Sequence, residues 1–309
     1  MIGAIIGDIA GSRFEFNNTS DYDFQIFHPD CSFTDDTICT VAVADAILRG
    51  VSYKDSLLHW CRKYPFPMGA YGGSFAHWIN SDNPQPYYSF GNGAAMRVSP
   101  VAWAFNDEAS VLREAIKTAE CTHNHPEGLI GAMSVADAIF MRRTEPEKAD
   151  NILNDVFKRY YGSDIFHYKI QNLGKFDETC QGCVPIAFSV VALAHDFEDA
   201  IRQAVSIGGD SDTLGAIVGS LAEARFGVPV EMKNAALNYL PEDMREVVID
   251  FNNKFKDNIE CRWVDAPLSE RKRFLFCHSR MYMESDRLVN SGQYPYLGLS
   301  DNHSFSKIR

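Results

Sequence analysis

Two short segments concentrate carboxylates where they can do chemistry. Phe33-Thr34-Asp35-Asp36-Thr37 and Gly208-Gly209-Asp210-Ser211-Asp212-Thr213 each place two aspartates and a threonine at the start of an apolar helical pattern. Taken singly, such a motif is a helix cap, because Asp and Thr oxygens accept from the orphan N–H groups and the helix dipole favours negative charge there. Two of them, each leading into a helix apolar enough to be buried, raise a further problem. Paired carboxylates withdrawn from water repel one another unless a cation lies between them. Oxygen donors with no His or Cys beside them suit Mg²⁺, Mn²⁺ or Ca²⁺ rather than zinc. Four carboxylates and two threonine oxygens can hold two such ions side by side, the clamp of two-metal hydrolases. Spacing alone leaves capping and a dimetal site both open.

Three other motifs carry weaker signals. Gly3, Gly7 and Gly11 recur every fourth residue and lead through Asp8 and Ser12 to Glu15, which reads as a closely packed helix ending in a polar loop. A lone glutamate in such a loop is by default a surface residue. Phe90-Gly91-Asn92-Gly93-Ala94-Ala95-Met96-Arg97 offers bare backbone N–H groups, usable as an anion nest or as a plain turn before a helix. Thr122-His123-Asn124-His125-Pro126 sets two histidines two apart with no third ligand near, which favours stacking or capping over metal binding. Cys180-Gln-Gly-Cys183 lacks the second pair that zinc would need and the βαβ setting of a redox motif.

Positioning these groups falls to helices. Segments Asp35–Leu48, Glu108–Cys121, Glu127–Arg142, Lys148–Tyr160, Val184–His195, Phe197–Ile207 and Thr213–Phe226 follow the 3.6-residue period, and strand-like alternation is scarce. In Thr213–Phe226 the four-residue spacing of Gly215 and Gly219 predicts close approach of another backbone. Pro65–Gly73 and Asp82–Gly93 are too punctuated by Gly, Pro and Asn for helix. The expectation is an all-α compact bundle of many short helices, with one domain over 1–259. Residues 260–309, with eight bases against six acids, read as an extension packed on that body or on a partner.

Composition narrows the function. The 309 residues carry 41 acids and 29 bases, a net charge of −12, which argues against a generic grip on nucleic acid or an anionic membrane. An anionic small ligand stays possible, because amides or a metal can hold phosphate without Lys or Arg. No apolar run is long enough to span a membrane. The eight cysteines are scattered, and Met1–Ala10 has no basic region, so no signal peptide is expected and the cytoplasm is the expected compartment.

In this order, the first-helix GDxxGS motif with Glu15, FTDDT, GNGAAMR, THNH and GGDSDT resemble the ADP-ribosylglycohydrolase family, over about Met1 to Leu240. The resemblance implies an all-α fold around a dimagnesium cleft that binds ADP-ribose. It implies that Thr34, Asp35, Asp36, Asp210, Asp212 and Thr213 ligate two Mg²⁺, with Mn²⁺ a possible substitute. Glu15 matches a glutamate on a loop over the scissile bond, and Glu15, Asp35 and Asp212 become the candidate catalytic residues. Ser89, Phe90, Gly91, Asn92 and Gly93 match the loop around pyrophosphate and adenosine, and His123 matches a histidine beside the ligand. Gly72 resembles part of a further phosphate loop, and Met96, Gly209 and Ser211 belong to the same candidate binding set.

The reading that follows is a hydrolase releasing ADP-ribose from a protein side chain, a nucleic-acid base or a small acceptor, expected as a monomer. The alternative is an ADP-ribose-binding or immunity-type protein that sequesters a toxin or modified target without turnover. An all-α Mg²⁺ pyrophosphohydrolase is a third reading, disfavoured by the absence of Glu-rich ExxE patterns.

Overall fold

The computed structural model describes residues 1–145, 149–169, 171 and 173–259; the expected extension at 260–309 lies outside them. The described residues contain helices and two isolated β-bridges, with no strand. The first four helices are α1 (Ile2–Gly11), α2 (Asp35–Arg49), α3 (Tyr53–Lys63) and α4 (Gly73–Asn80). Next come α5 (Gly93–Met96), α6 (Ser99–Ala104), α7 (Glu108–Glu120), α8 (Pro126–Thr144) and α9 (Ala149–Tyr161). The chain continues through α10 (Cys180–Leu193), α11 (Phe197–Ile207), α12 (Ser211–Phe226), α13 (Val230–Leu237), α14 (Glu242–Lys254) and α15 (Lys256–Ile259). All seven expected helices are present. α10 begins four residues earlier than its periodicity suggested, capped by the Thr179 hydroxyl, and carries Pro185 inside it at the loss of one helical hydrogen bond.

The centre of the bundle is the pair α1 and α12. Every residue of α1 is buried, as a helix apolar on all sides must be. It runs antiparallel to α12 in a register set by small residues: Gly3 faces Gly219, Gly7 faces Gly215 and Gly11 faces Ser211. A Cβ on Gly3 would stand 2.2 Å from the Gly219 carbonyl oxygen, and one on Gly11 2.2 Å from that of Ser211. Such contact brings the end of α1, and with it Glu15, beside the start of α12, where Asp210 and Asp212 stand.

Asp8 adds the third helix. It is fully buried, and its carboxylate accepts from the Thr34 N–H at 3.0 Å, the Thr34 hydroxyl at 2.7 Å, the Thr37 N–H at 3.1 Å and the Thr37 hydroxyl. α2 is therefore capped from outside by a residue of α1, as well as by the Thr34 hydroxyl, which accepts from the Asp36 N–H at 3.2 Å. The Thr213 hydroxyl donates to Asp36 at 3.1 Å and ties α12 to α2. Both aspartate motifs thus open their helices at one point.

Candidate active site

That point is the floor of a cleft of about 240 Å³. Asp35, Asp210, Asp212 and Glu15 line it, and Asp36 lies buried at its base. Ligand oxygens of Glu15, Asp210 and Asp212 all fall within 4.8 Å of one another. Three carboxylate oxygens of this cluster are buried with no hydrogen-bond partner: Glu15 Oε2, Asp36 Oδ1 and Asp212 Oδ1. Burial, followed by the neighbouring carboxylates, pushes Asp35, Asp36 and Asp212 well above the usual carboxylate range. Burial also raises Asp210, against hydrogen bonds that pull it down, and holds Asp8 at about 6. Without a counter-ion the cluster is an uncompensated concentration of negative charge, costly in a folded interior. A hard divalent cation is the partner that such oxygen donors fit. The Thr34 hydroxyl is engaged at both ends, donating to Asp8 and accepting from Asp36, so only its second lone pair remains for a cation.

Glu15 departs from the default for a lone glutamate: it is half-buried and faces into the cleft. Burial, then Asp210, raises it to about 7. Its backbone is fixed by Asn18, whose amide donates to the carbonyls of Phe14 at 2.7 Å, Glu15 at 3.3 Å and Gly209 at 2.8 Å. The Asn18 oxygen in turn accepts from the Gly209 N–H at 2.9 Å. Gly69, at φ 79°, backs the carboxylate so closely that a Cβ there would lie 2.4 Å from Glu15 Oε2. Ala70 beside it also has a positive φ of 69°, a strained setting typical of ligand sites. Phe16 stacks on Phe176 with centroids 5.9 Å apart, and both rings are exposed at the rim.

The other end of the cleft is built from the 85–97 segment and α4. Ser89, Gly91, Asn92, Gly93 and Met96 line it as expected, but the turn is not a bare nest. The Gly91 N–H donates to the Ser89 hydroxyl at 3.0 Å, and the Asn92 N–H donates to the Glu178 carbonyl at 2.7 Å. Asn92 uses its side chain on Asp210, donating at 2.7 Å. The glycines admit His123: Cβ atoms at Gly91 and Gly93 would stand 3.3 and 3.1 Å from its Nε2. Gly72 is the N-cap of α4 with no side-chain cap, and Gly72, Gly73 and Ser74 line the cleft, so the uncapped start of α4 lies at it.

Some expected residues are placed elsewhere. Gly209, at φ 86°, gives both its backbone groups to Asn18, and Ser211 is buried with its hydroxyl on the Gly11 carbonyl at 3.2 Å. Phe90 is exposed and packs edge-on against His125 at 5.3 Å. His125 stacks and caps as its motif suggested, also meeting Tyr88 and accepting from the Glu127 N–H at 3.1 Å. Cys180 and Cys183 are free and buried, and burial pushes Cys180 to about 12, which leaves no reactive thiolate. Asp8, Asn18, Arg97, Phe176 and Glu178 were not singled out as site residues, yet all line the cleft or fix its parts. Of these Asp8 carried a signal, as the one charged residue in an otherwise apolar helix.

The sequence model of a family described as ADP-ribosylglycohydrolase matches residues 1–261, reaching past the point where the motif resemblance ended. The chain is 23% identical to the protein named ADP-ribosylhydrolase ARH3 of Danio rerio, covering 74% of this chain and 82% of that one. It is 25% identical to the ADP-ribosyl-(dinitrogen reductase) glycohydrolase of Rhodospirillum rubrum, covering 74% and 84%. An uncharacterized protein of Archaeoglobus fulgidus is 28% identical over 64% of this chain and 73% of its own. A solved structure titled as an ADP-ribosylglycohydrolase-related protein complex shares the fold, with a TM-score of 0.62 at 23% identity over 81% of this chain and 94% of that one.

Proposed function

The chain belongs to the ADP-ribosylglycohydrolase family, and from that premise and the chemistry of the cleft we propose that it hydrolyses the glycosidic bond between ADP-ribose and an acceptor, releasing ADP-ribose. The observation that carries this reading is the set of buried, partnerless carboxylate oxygens on Glu15, Asp36 and Asp212 at the floor of one cleft. Asp35, Asp36, Asp210, Asp212 and Thr213, with the remaining lone pair of Thr34, would hold two Mg²⁺, or Mn²⁺ in their place. Bound there, the ions would supply Lewis-acid polarisation of ribose oxygens and water and offset the charge that repels a pyrophosphate.

The chain's own groups divide the remaining work. The N-terminus of α4 and His123, which both line the cleft, offer N–H donors to the diphosphate. Glycosidic cleavage passes through an oxocarbenium-like state. A carboxyl group poised near neutral pH, as Glu15 is at about 7, can give a proton to the leaving atom or take one from water. The acceptor leaves past Glu15 toward the Phe16–Phe176 rim. Six described cysteines are free, which fits action in the cytoplasm on ADP-ribosylated proteins or other ADP-ribosylated acceptors, and the monomer is the proposed working form. No helix among the described residues is long and apolar enough to cross a membrane.

The test is incubation with Mg²⁺ and arginine-, serine- or base-linked ADP-ribose, followed by product identification. Free ADP-ribose is the expected product. Intact substrate held tightly without turnover would instead establish a binding protein, and AMP with ribose phosphate a pyrophosphohydrolase.

A further inference from the structure

His123 is nearly fully buried at 6% exposure, with its Nε2 edge under the Gly91–Gly93 turn and its ring on the cleft wall. Its other nitrogen, Nδ1, lies 2.7 Å from the Thr122 hydroxyl. Which nitrogen carries the proton depends on where that hydroxyl sends its hydrogen. Arg97, 1% exposed, donates through Nη2 to the Thr122 hydroxyl oxygen at 2.7 Å and to the Thr118 carbonyl at 2.8 Å. A guanidinium only donates, so the Thr122 oxygen accepts there and must dispose of its own hydrogen elsewhere.

Two acceptors are in reach: His123 Nδ1 at 2.7 Å and the Ala119 carbonyl at 3.4 Å. The Ala119 oxygen already takes the N–H groups of Thr122 at 3.0 Å and His123 at 2.7 Å, which fills both lone pairs. The hydrogen therefore goes to Nδ1. The field of Arg97 acts in the same sense, because a lone pair rather than an N–H then faces the cation. Burial and Arg97 also hold His123 well below the usual histidine range.

We infer that Arg97 and Thr122 form a relay that locks His123 in the neutral Nε2–H tautomer, so that it meets a bound ligand as a hydrogen-bond donor to an anionic oxygen of the diphosphate. Arg97 and Thr122 are positioning residues, acting on the ligand through His123. With the N–H groups of Gly91 and Asn92 engaged inside the chain, the Nε2–H supplies a donor in their place. The ligand half of this inference rests on the reading of the cleft as an ADP-ribose site; the tautomer half does not.

The experiment is nitrogen-15 NMR of the imidazole rings in the full, ligand-free chain, which has nine histidines. The His123 signals are identified by their loss in His123→Gln. Protonated Nε2 with bare Nδ1 is expected, and retained in Thr122→Ser; a protonated Nδ1, in either the neutral or the charged ring, would overturn the relay. Thr122→Val should then mix the tautomers and weaken ADP-ribose binding roughly tenfold, the scale of one hydrogen bond to a charged group, whereas Thr122→Ser should keep wild-type affinity. Should Thr122→Val fail to fold, the tautomer measured in the wild type and in Thr122→Ser still decides. If the tautomer is as assigned and ADP-ribose does not bind, the functional reading falls and the relay stands.

Discussion

Gly7 and Gly215 meet backbone to backbone: a Cβ on Gly7 would stand 1.8 Å from the Gly215 carbonyl oxygen, and one on Gly215 2.4 Å from that of Gly7. This contact carries the end of α1 to the start of α12 and so places Glu15 against Asp210 and Asp212. Neither backbone can yield without separating the two central helices. Gly7→Ala is expected to destabilise the chain by at least about 1–3 kcal/mol, the scale of core overpacking. Gly50, at φ 69° with open space around it, is the comparison: Gly50→Ala carries only the left-handed backbone cost of about 1–2 kcal/mol. Urea denaturation of the two variants measures the difference.

Asp36 and Asp212 each bury an oxygen with no partner, so their charges work against folding when no cation is present. Asp36→Asn and Asp212→Asn are expected to melt higher than the wild type in chelator, by an amount corresponding to about 1–3 kcal/mol. Both are expected to lose most of the stabilisation that Mg²⁺ gives the wild type. Thermal melts with and without Mg²⁺ test both halves, and a lower melting temperature in chelator would contradict the electrostatic account.

The same charges set a pH dependence. Glu15 is raised to about 7 and Asp8 to about 6, whereas unfolded carboxylates titrate near 4. Between those limits the folded chain holds protons that the unfolded chain has released, so stability falls as pH rises. In chelator, the melting temperature is expected to drop from about pH 4.5 to about 7. Saturating Mg²⁺ should flatten or reverse that slope, because it favours the ionised carboxylates. Melts across this range in the two conditions check the sign.

Gly69 stands behind the Glu15 carboxylate, and its φ of 79° disfavours any side chain. Gly69→Ala is expected to push Glu15 out of register and lower kcat by about 10²–10⁴-fold, as Glu15→Gln should, the range for a lost proton-transfer group. ADP-ribose affinity should change little in either variant, because the diphosphate donors lie at the other end of the cleft. Binding measured by calorimetry beside kcat separates the two effects.

The helices and the close packing of α1 and of α12 were legible because glycine spacing and the 3.6-residue period are local signals, whereas the pairing of these two helices with each other is a tertiary fact that neither spacing names. The two aspartate motifs were legible for the same reason, since their oddity lies in six consecutive residues or fewer. Asn18 was not, because its role is to join the carbonyl of Glu15 to Gly209, a partner 191 residues away. Arg97 is likewise silent in sequence: its meaning comes from Thr122, which shares no periodicity with it. The GNGAAMR turn suggested bare N–H groups, yet the hydroxyl of Ser89 and the carbonyl of Glu178 claim two of them. Short motifs reveal which groups are available, and tertiary contacts decide which are already engaged.

In the proposed function, release of ADP-ribose depends on cations held by the carboxylates of α2 and α12. This dependence is tested most directly by the rate of ADP-ribose release from a linked substrate, measured on one preparation after exhaustive chelation and again after Mg²⁺ is restored. No release above background is expected in chelator, with recovery on adding Mg²⁺. Release at the full rate in chelator would contradict the dependence.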